Sequence, residues 1–148
     1  MADILQVMGE NHRHCDEFFL AAEQAAQRGD MAACRARLAQ FAAELEQHLS
    51  LEEQSLFPRF ESATGMTAGP TAVMRMEHGQ MRQLVEEMQA FAGNGDAAGF
   101  LASADTLLIL MQQHNLKEEN VLYPMLDRVL AGERDMLLAP ILSAKEPA

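Results

Sequence analysis

Apolar residues along this chain recur at alternating spacings of three and four, the period of an amphipathic helix and not of a strand. Four such stripes can be followed. The first runs through Leu5, Met8, His12, Cys15, Phe19, Ala22 and Ala26 to Gly29 and Asp30, a helix-ending glycine and a residue suited to cap the next helix. The second runs through Leu38, Phe41, Leu45, His48, Glu52 and Leu56 towards Pro58, and the glycine- and threonine-rich loop from Ser62 to Pro70 breaks the chain after it. Met74, His78, Met81, Val85 and Met88 make the third, closed by Gly93, Asn94, Gly95 and Asp96. The fourth holds Leu107, Met111, His114, Glu118, Val121 and Met125, with a kink at Pro124 and a continuation to Leu130. A short apolar segment, Met136 to Leu142, is placed to cap a bundle or to form an interface such as that of a homodimer. The expected fold is all-α: an up-down four-helix bundle with its core over about residues 3–130 and a short extra helix over 133–143, in a single domain of residues 1–148.

One fixed offset relates the two halves. His12 maps on His78 and His48 on His114, since 78 − 12 = 66 and 114 − 48 = 66. The same shift carries Met8 to Met74, Gly29 and Asp30 to Gly95 and Asp96, Glu52 and Glu53 to Glu118 and Glu119, and Pro58 to Pro124. Both halves therefore follow one helical-hairpin plan, with the motif H-x-x-x-E-E-x-x-L-[FY]-P at His48 to Pro58 and again at His114 to Pro124. Two such hairpins packed face to face give a bundle with an approximate two-fold axis and a symmetric site in its core.

A helix brings residues i and i+4 to one face, so His48 with Glu52, and His114 with Glu118, point the same way. His12 and His78 lie on the apolar stripes of their own helices. A single inward histidine is ordinarily a hydrogen-bonded core residue. Four independent ones would all fall on stripes only roughly one time in a hundred. Two buried carboxylates also cost several kcal/mol each unless paired, and neither arginine nor lysine lies on these stripes. A bound cation supplies the missing charge, and the expected metal ligands are His12, His48, Glu52, His78, His114 and Glu118.

Other polar residues are assigned elsewhere. Glu53 and Glu119, one residue round the helix from the proposed ligands, read as solvated or supporting carboxylates. His14 is about 200° round the helix from His12 and reads as a surface histidine. Glu77 has two readings, a proton-handling group that reaches the site or its entrance, or a solvated side chain. Tyr123 has Phe57 as its repeat mate, which favours packing over redox chemistry. Met8 and Met74, each four residues before a proposed ligand, are placed to line the pocket.

Charge and segment composition narrow the partners. A formal net charge of −11 repels phosphate backbones and anionic lipid, so nucleic acid and membrane surfaces are not expected. With no basic leader and no run long enough to span a bilayer, the expected location is the cytoplasm. The two cysteines, Cys15 and Cys34, form neither a metal-type pair nor a disulfide framework, and read as reduced core thiols.

Histidine with carboxylate and without cysteine suits iron, manganese or zinc. Six ligands exceed the four of a closed zinc site, and two symmetry-related carboxylates are placed to bridge a pair of ions. Two irons are expected, with zinc or manganese as substitutes. The glutamate-rich ferritin-like pattern needs Glu-x-x-His pairs, and the chain has none. The twice-repeated motif, the histidine of the first helix and Glu77 with His78 resemble the hemerythrin-like (HHE cation-binding) family over about residues 3–130. That resemblance implies an oxo- or hydroxo-bridged non-haem di-iron centre with terminal ligands His12, His48, His78 and His114 and bridges Glu52 and Glu118. It also implies reactivity towards O2, NO or peroxide. Oxygen-carrying members place a further histidine one turn before His78, where this chain has Met74. The pattern is more similar to members that sense oxygen or iron, respond to nitric oxide or help to repair iron centres. Two functions follow as expectations: a binding or sensing module, or a redox enzyme-like protein or iron donor.

Overall fold

The computed structural model describes residues 2–145, and every described element is helical. Helix α1 spans Ile4–Gln27, α2 Met31–Leu51, α3 Phe57–Thr64, α4 Pro70–Gly93, α5 Ala97–Lys117, α6 Tyr123–Val129 and α7 Arg134–Lys145. Between α2 and α3 lies a π-helical turn, Glu52–Leu56, and between α5 and α6 a second, Glu118–Leu122, so each of these trios runs on as one rod. Helices α1 and α2 pack along each other, as do α4 and α5, while α1 lies against α5 and α2 against α4. No helix among the described residues is long and apolar enough to cross a membrane.

The two hairpin turns are built alike. Gly29 (φ 75°) and Gly95 (φ 70°) take the left-handed conformation that ends a helix, one a side chain strains to adopt. The following Asp30 and Asp96 N–H groups reach back to Ala25 O and Phe91 O, each at 2.9 Å. Their carboxylates then cap the next helix, Asp30 accepting from Ala33 N at 3.1 Å and Asp96 from Gly99 N at 2.9 Å. At the other end Asp3 closes a capping box with Gln6. Asp127 of α6 accepts from the N–H groups of Ile4 and Leu5 at 2.7 and 3.1 Å, a negative charge on the positive end of α1.

The second stripe continues past Pro58 to Thr64, so the loop begins at Gly65 and not at Ser62. Pro58 has no N–H for the carbonyl four residues back, and its ring would press on that carbonyl. The wide turn before it relieves this: Phe57 N–H reaches Glu52 O, five residues back, and the helix resumes as α3 until Gly65 (φ 75°). Pro124 is accommodated in the same way, Tyr123 N–H bonding Glu118 O. A π turn takes up an extra residue and so rotates the stripe behind it. Val121, expected inside, is exposed, and Leu122 and Leu126 are buried in its place. Their counterparts at the same offset, Leu56 and Phe60, are buried as well.

The core has two apolar clusters. One, around Phe19, Phe41, Met88, Phe100 and Leu107, fills the end bearing the hairpin turns. The other, around Ile4, Met8, Leu56, Phe57, Phe60 and Leu126, is closed by Leu137, Leu138 and Ile141 of α7. The C-terminal segment therefore caps the bundle. Between the clusters lies a layer of buried polar side chains.

Candidate metal centre

That polar layer contains all six side chains singled out above: His12 from α1, His48 from α2, Glu52 and Glu118 from the first positions of the π turns, His78 from α4 and His114 from α5. Both glutamates are fully buried and His12, the most exposed of the six, reaches only 6%. The rings pair within hairpins. His12 and His48 have ring centroids 4.6 Å apart, and His78 and His114 5.0 Å.

The carboxylates cross between the pairs. Glu52 lies 3.6 Å from His48 Nε2 through Oε2 and 3.1 Å from His78 Nε2 through Oε1. Glu118 Oε1 lies 3.0 Å from His12 Nε2 and 3.2 Å from His114 Nε2. Each glutamate thus touches one ring of each pair. Two groups of donors close enough to hold a cation result, Glu52 with His78, His114 and Glu118, and His12 with His48 and Glu118.

Every ring is held by its far nitrogen. His12 Nδ1 bonds Glu119 Oε2 at 2.8 Å, His48 Nδ1 bonds Asn11 Oδ1 at 2.6 Å, His78 Nδ1 bonds Glu53 Oε2 at 2.7 Å and His114 Nδ1 bonds Glu77 Oε1 at 2.8 Å. An Nδ1–H donating to oxygen leaves the Nε2 lone pair for the interior, the arrangement a metal-ligating histidine uses. The holders are themselves held: Glu77 pairs with Lys117, and Glu53 takes two bonds from Arg82 at 2.8 and 2.9 Å.

Tyr123 enters the layer from α6. Its fully buried hydroxyl lies 2.6 Å from Glu52 Oε2 and 2.9 Å from Glu118 Oε1, and 3.2 Å from both His12 Nε2 and His48 Nε2.

The electrostatics are those of a site short of positive charge. Burial opposes ionisation of Glu52, yet the His48 ring and hydrogen bonds within the cluster hold its carboxyl well below the usual range. Burial likewise lowers the pKa of His12, and the carboxylates of Glu118 and Glu119 outweigh it and take the ring up to about 9. Burial, reinforced by the charges of Glu118 and Glu52, pushes the Tyr123 phenol well above its ordinary value. Among the described residues four buried atoms make no hydrogen bond, Glu52 Oε1, His78 Nε2, His114 Nε2 and Glu118 Oε2, although the first two face each other at 3.1 Å. Unmade bonds at buried polar atoms cost about 1–3 kcal/mol each. All four belong to the Glu52, His78, His114 and Glu118 group, and a cation there would satisfy them together.

A small cavity adjoins the layer, lined by His12, His48 and His114, by Cys15, Leu45, Leu49, Met81 and Met111, and by Asp16 and Asn115. Burial pushes the Cys15 thiol up to about 12, so it lines this space as a neutral group. Cys15 and Cys34 are both buried and unpaired.

The structure brings together all six expected ligands. His14 stays outside, its side chain 40% exposed and 3.6 Å from Glu44. Met8 and Met74 are buried in the second apolar cluster. Glu77 reaches the site and is not a solvated side chain, since it is 8% exposed and orients His114. Glu53 and Glu119 orient His78 and His12. Tyr123 does more than pack. Asn11 is not among the expected residues, although the repeat offset of 66 is its signal: Asn11 maps on Glu77, and each holds the ring opposite.

A buried two-group cluster of imidazoles and carboxylates on adjacent helices defines a cation-binding bundle, and the chain belongs to the hemerythrin HHE cation-binding domain family, whose model matches residues 3–126. Among curated relatives it is similar to the iron-sulfur cluster repair protein YtfE of Escherichia coli O1:K1, 32% identical over 99 residues, which covers 61% of this chain and 44% of that protein. The protein of the same name from Escherichia fergusonii matches to the same extent. The chain thus spans less than half the length of these relatives. No solved structure matches it.

Proposed function

We propose that this chain is a non-haem di-iron protein that binds or senses O2, NO, peroxide or iron itself. His12 and His48 would hold one iron, His78 and His114 the other, and Glu52 and Glu118 would be shared between them, within an up-down bundle of pseudo-two-fold symmetry. The single observation that carries the reading is the crossing of the carboxylates, each of which reaches one histidine of either pair. Neutral imidazole with carboxylate suits iron, and no thiol stands among the donors. When bound, an iron pair supplies electrons and open positions for a small ligand. The chain's part is to hold the donors through Asn11, Glu53, Glu77 and Glu119, to keep bulk water out with two apolar clusters, and to offer a compact apolar chamber beside His12, His48 and His114. Met74, apolar where an oxygen carrier has a further histidine, leaves one iron short of that ligand and favours sensing or reaction over carriage.

A second reading, donation of iron to damaged iron centres, is favoured by the likeness to proteins named for iron-sulfur cluster repair. Anaerobic purification with iron quantitation, then spectra before and after O2, NO and peroxide, tests the first reading. Reversible adducts support binding; turnover supports an enzyme; loss of iron to an apo iron-sulfur protein supports donation. His48→Ala and Glu118→Ala lose iron, whereas His14→Ala keeps it. Equal iron in all three variants sinks the assignment.

A further inference from the structure

The two donor groups are not equivalent. All four orphaned atoms lie in the group of His78 and His114. On the side of the other group, the donor atoms His12 Nε2, His48 Nε2 and Glu118 Oε1, with the second oxygen of Glu52, Oε2, all meet one hydroxyl, that of Tyr123, at 3.2, 3.2, 2.9 and 2.6 Å. A phenol carries one proton and two lone pairs, so it cannot make four good hydrogen bonds at once. Another pattern fits these distances. Metal–donor bonds of about 2.1 Å place neighbouring donors of a six-coordinate ion about 3 Å apart. Tyr123 Oη stands at that separation from four other donors simultaneously, as one ligand of a coordination sphere stands to those beside it.

We propose that Tyr123 is a seventh metal ligand, an oxygen donor to the cation held by His12 and His48. The inference rests on the two-iron reading above. Its repeat mate, Phe57, has no oxygen to offer the other cation, so the hydroxyl makes an otherwise duplicated centre one-sided. With ferric iron, Tyr123 gives its proton to solvent as its oxygen binds, and no change of oxidation state is involved.

Phenolate bound to ferric iron absorbs visible light by charge transfer, whereas histidine and carboxylate ligands do not produce the phenolate ring vibrations that excitation in such a band reveals. The test takes the wild-type chain, loads it with iron, oxidises it, counts iron per chain and records absorption and resonance Raman spectra. Tyr123→Phe, which copies the residue already tolerated at Phe57, is treated identically, with its melting curve as the check on folding. The expected result is two irons and phenolate ring modes in the wild type. In Tyr123→Phe the band and its modes disappear, and binding of one of the two irons weakens. Two irons without phenolate modes in the wild type overturn this proposal and leave the di-iron reading standing. A chain that takes up no iron overturns both. The wild-type spectrum decides even if the variant fails to fold.

Discussion

Glu77 Oε1 lies 2.8 Å from His114 Nδ1 and pairs on its other oxygen with Lys117. Burial opposes its charge, and Lys117 and His114 outweigh burial and hold the carboxyl below its ordinary range. It therefore stands ready as an anion to fix the ring and raise its basicity. Removing such a supporting group typically lowers metal affinity about 10–100-fold. Glu77→Ala is expected to fall in that range in a competitive chelator titration, and Glu77→Gln, which can still accept from Nδ1, less. Unchanged affinity in Glu77→Ala would show that the ring needs no holder.

The metal-free protein should lose stability as pH rises from neutral. In the fold the ring of His12 is brought to about 9, above its ordinary 6.5, because Glu118 and Glu119 outweigh the effect of burial. A group whose pKa is raised by folding stabilises fully below its unfolded value and loses that contribution as pH climbs through its folded one. Thermal melts of chelator-treated protein from neutral pH to above 9 are expected to show a falling midpoint. Glu119→Gln, which removes one of the two carboxylates at that ring, should flatten the fall.

Metal removal is expected to lower the melting point of the whole domain. A ligand bound only by the folded state and present at 100 times its dissociation constant stabilises by about 2.7 kcal/mol, or roughly 5–10 °C for a domain of this size. Calorimetry with and without iron measures it, and His48→Ala should melt alike in both conditions.

Two glycines separate packing from chemistry. A Cβ on Gly99 would lie 2.4 Å from Phe91 Cδ1 and 2.8 Å from the capping carboxylate of Asp96. Gly99→Ala should cost about 1–3 kcal/mol, the usual effect of overpacking. Gly79, inside α4 and exposed, has nothing within 4 Å of its Cβ position. Gly79→Ala should stabilise by about 0.5–1 kcal/mol, the helix penalty of glycine. Denaturant melts rank the two, and iron content should be unchanged in both.

Much of this arrangement was legible in the sequence because its signals are periodic. The i, i+4 spacing put His48 with Glu52 and His114 with Glu118, and the offset of 66 brought in His12 and His78. What failed to show was whatever breaks the period. A π turn looks like ordinary helix in a sequence, so Val121 was placed inside and Leu122 missed. Tyr123 was judged by its mate Phe57, although the one atom by which they differ is the one that reaches the carboxylates. Glu53 and Glu119 read in the sequence as solvated or supporting carboxylates and are the supporting ones, whereas Asn11 went unnoticed because a side chain beside the apolar stripe can still bend back to the far nitrogen of a ring on another helix.

Each π turn amounts to a one-residue insertion, and both begin at the glutamate that crosses to the opposite hairpin. The turn that accommodates each proline thus opens at a buried carboxylate, so the irregularity of both rods falls at the layer of buried polar side chains.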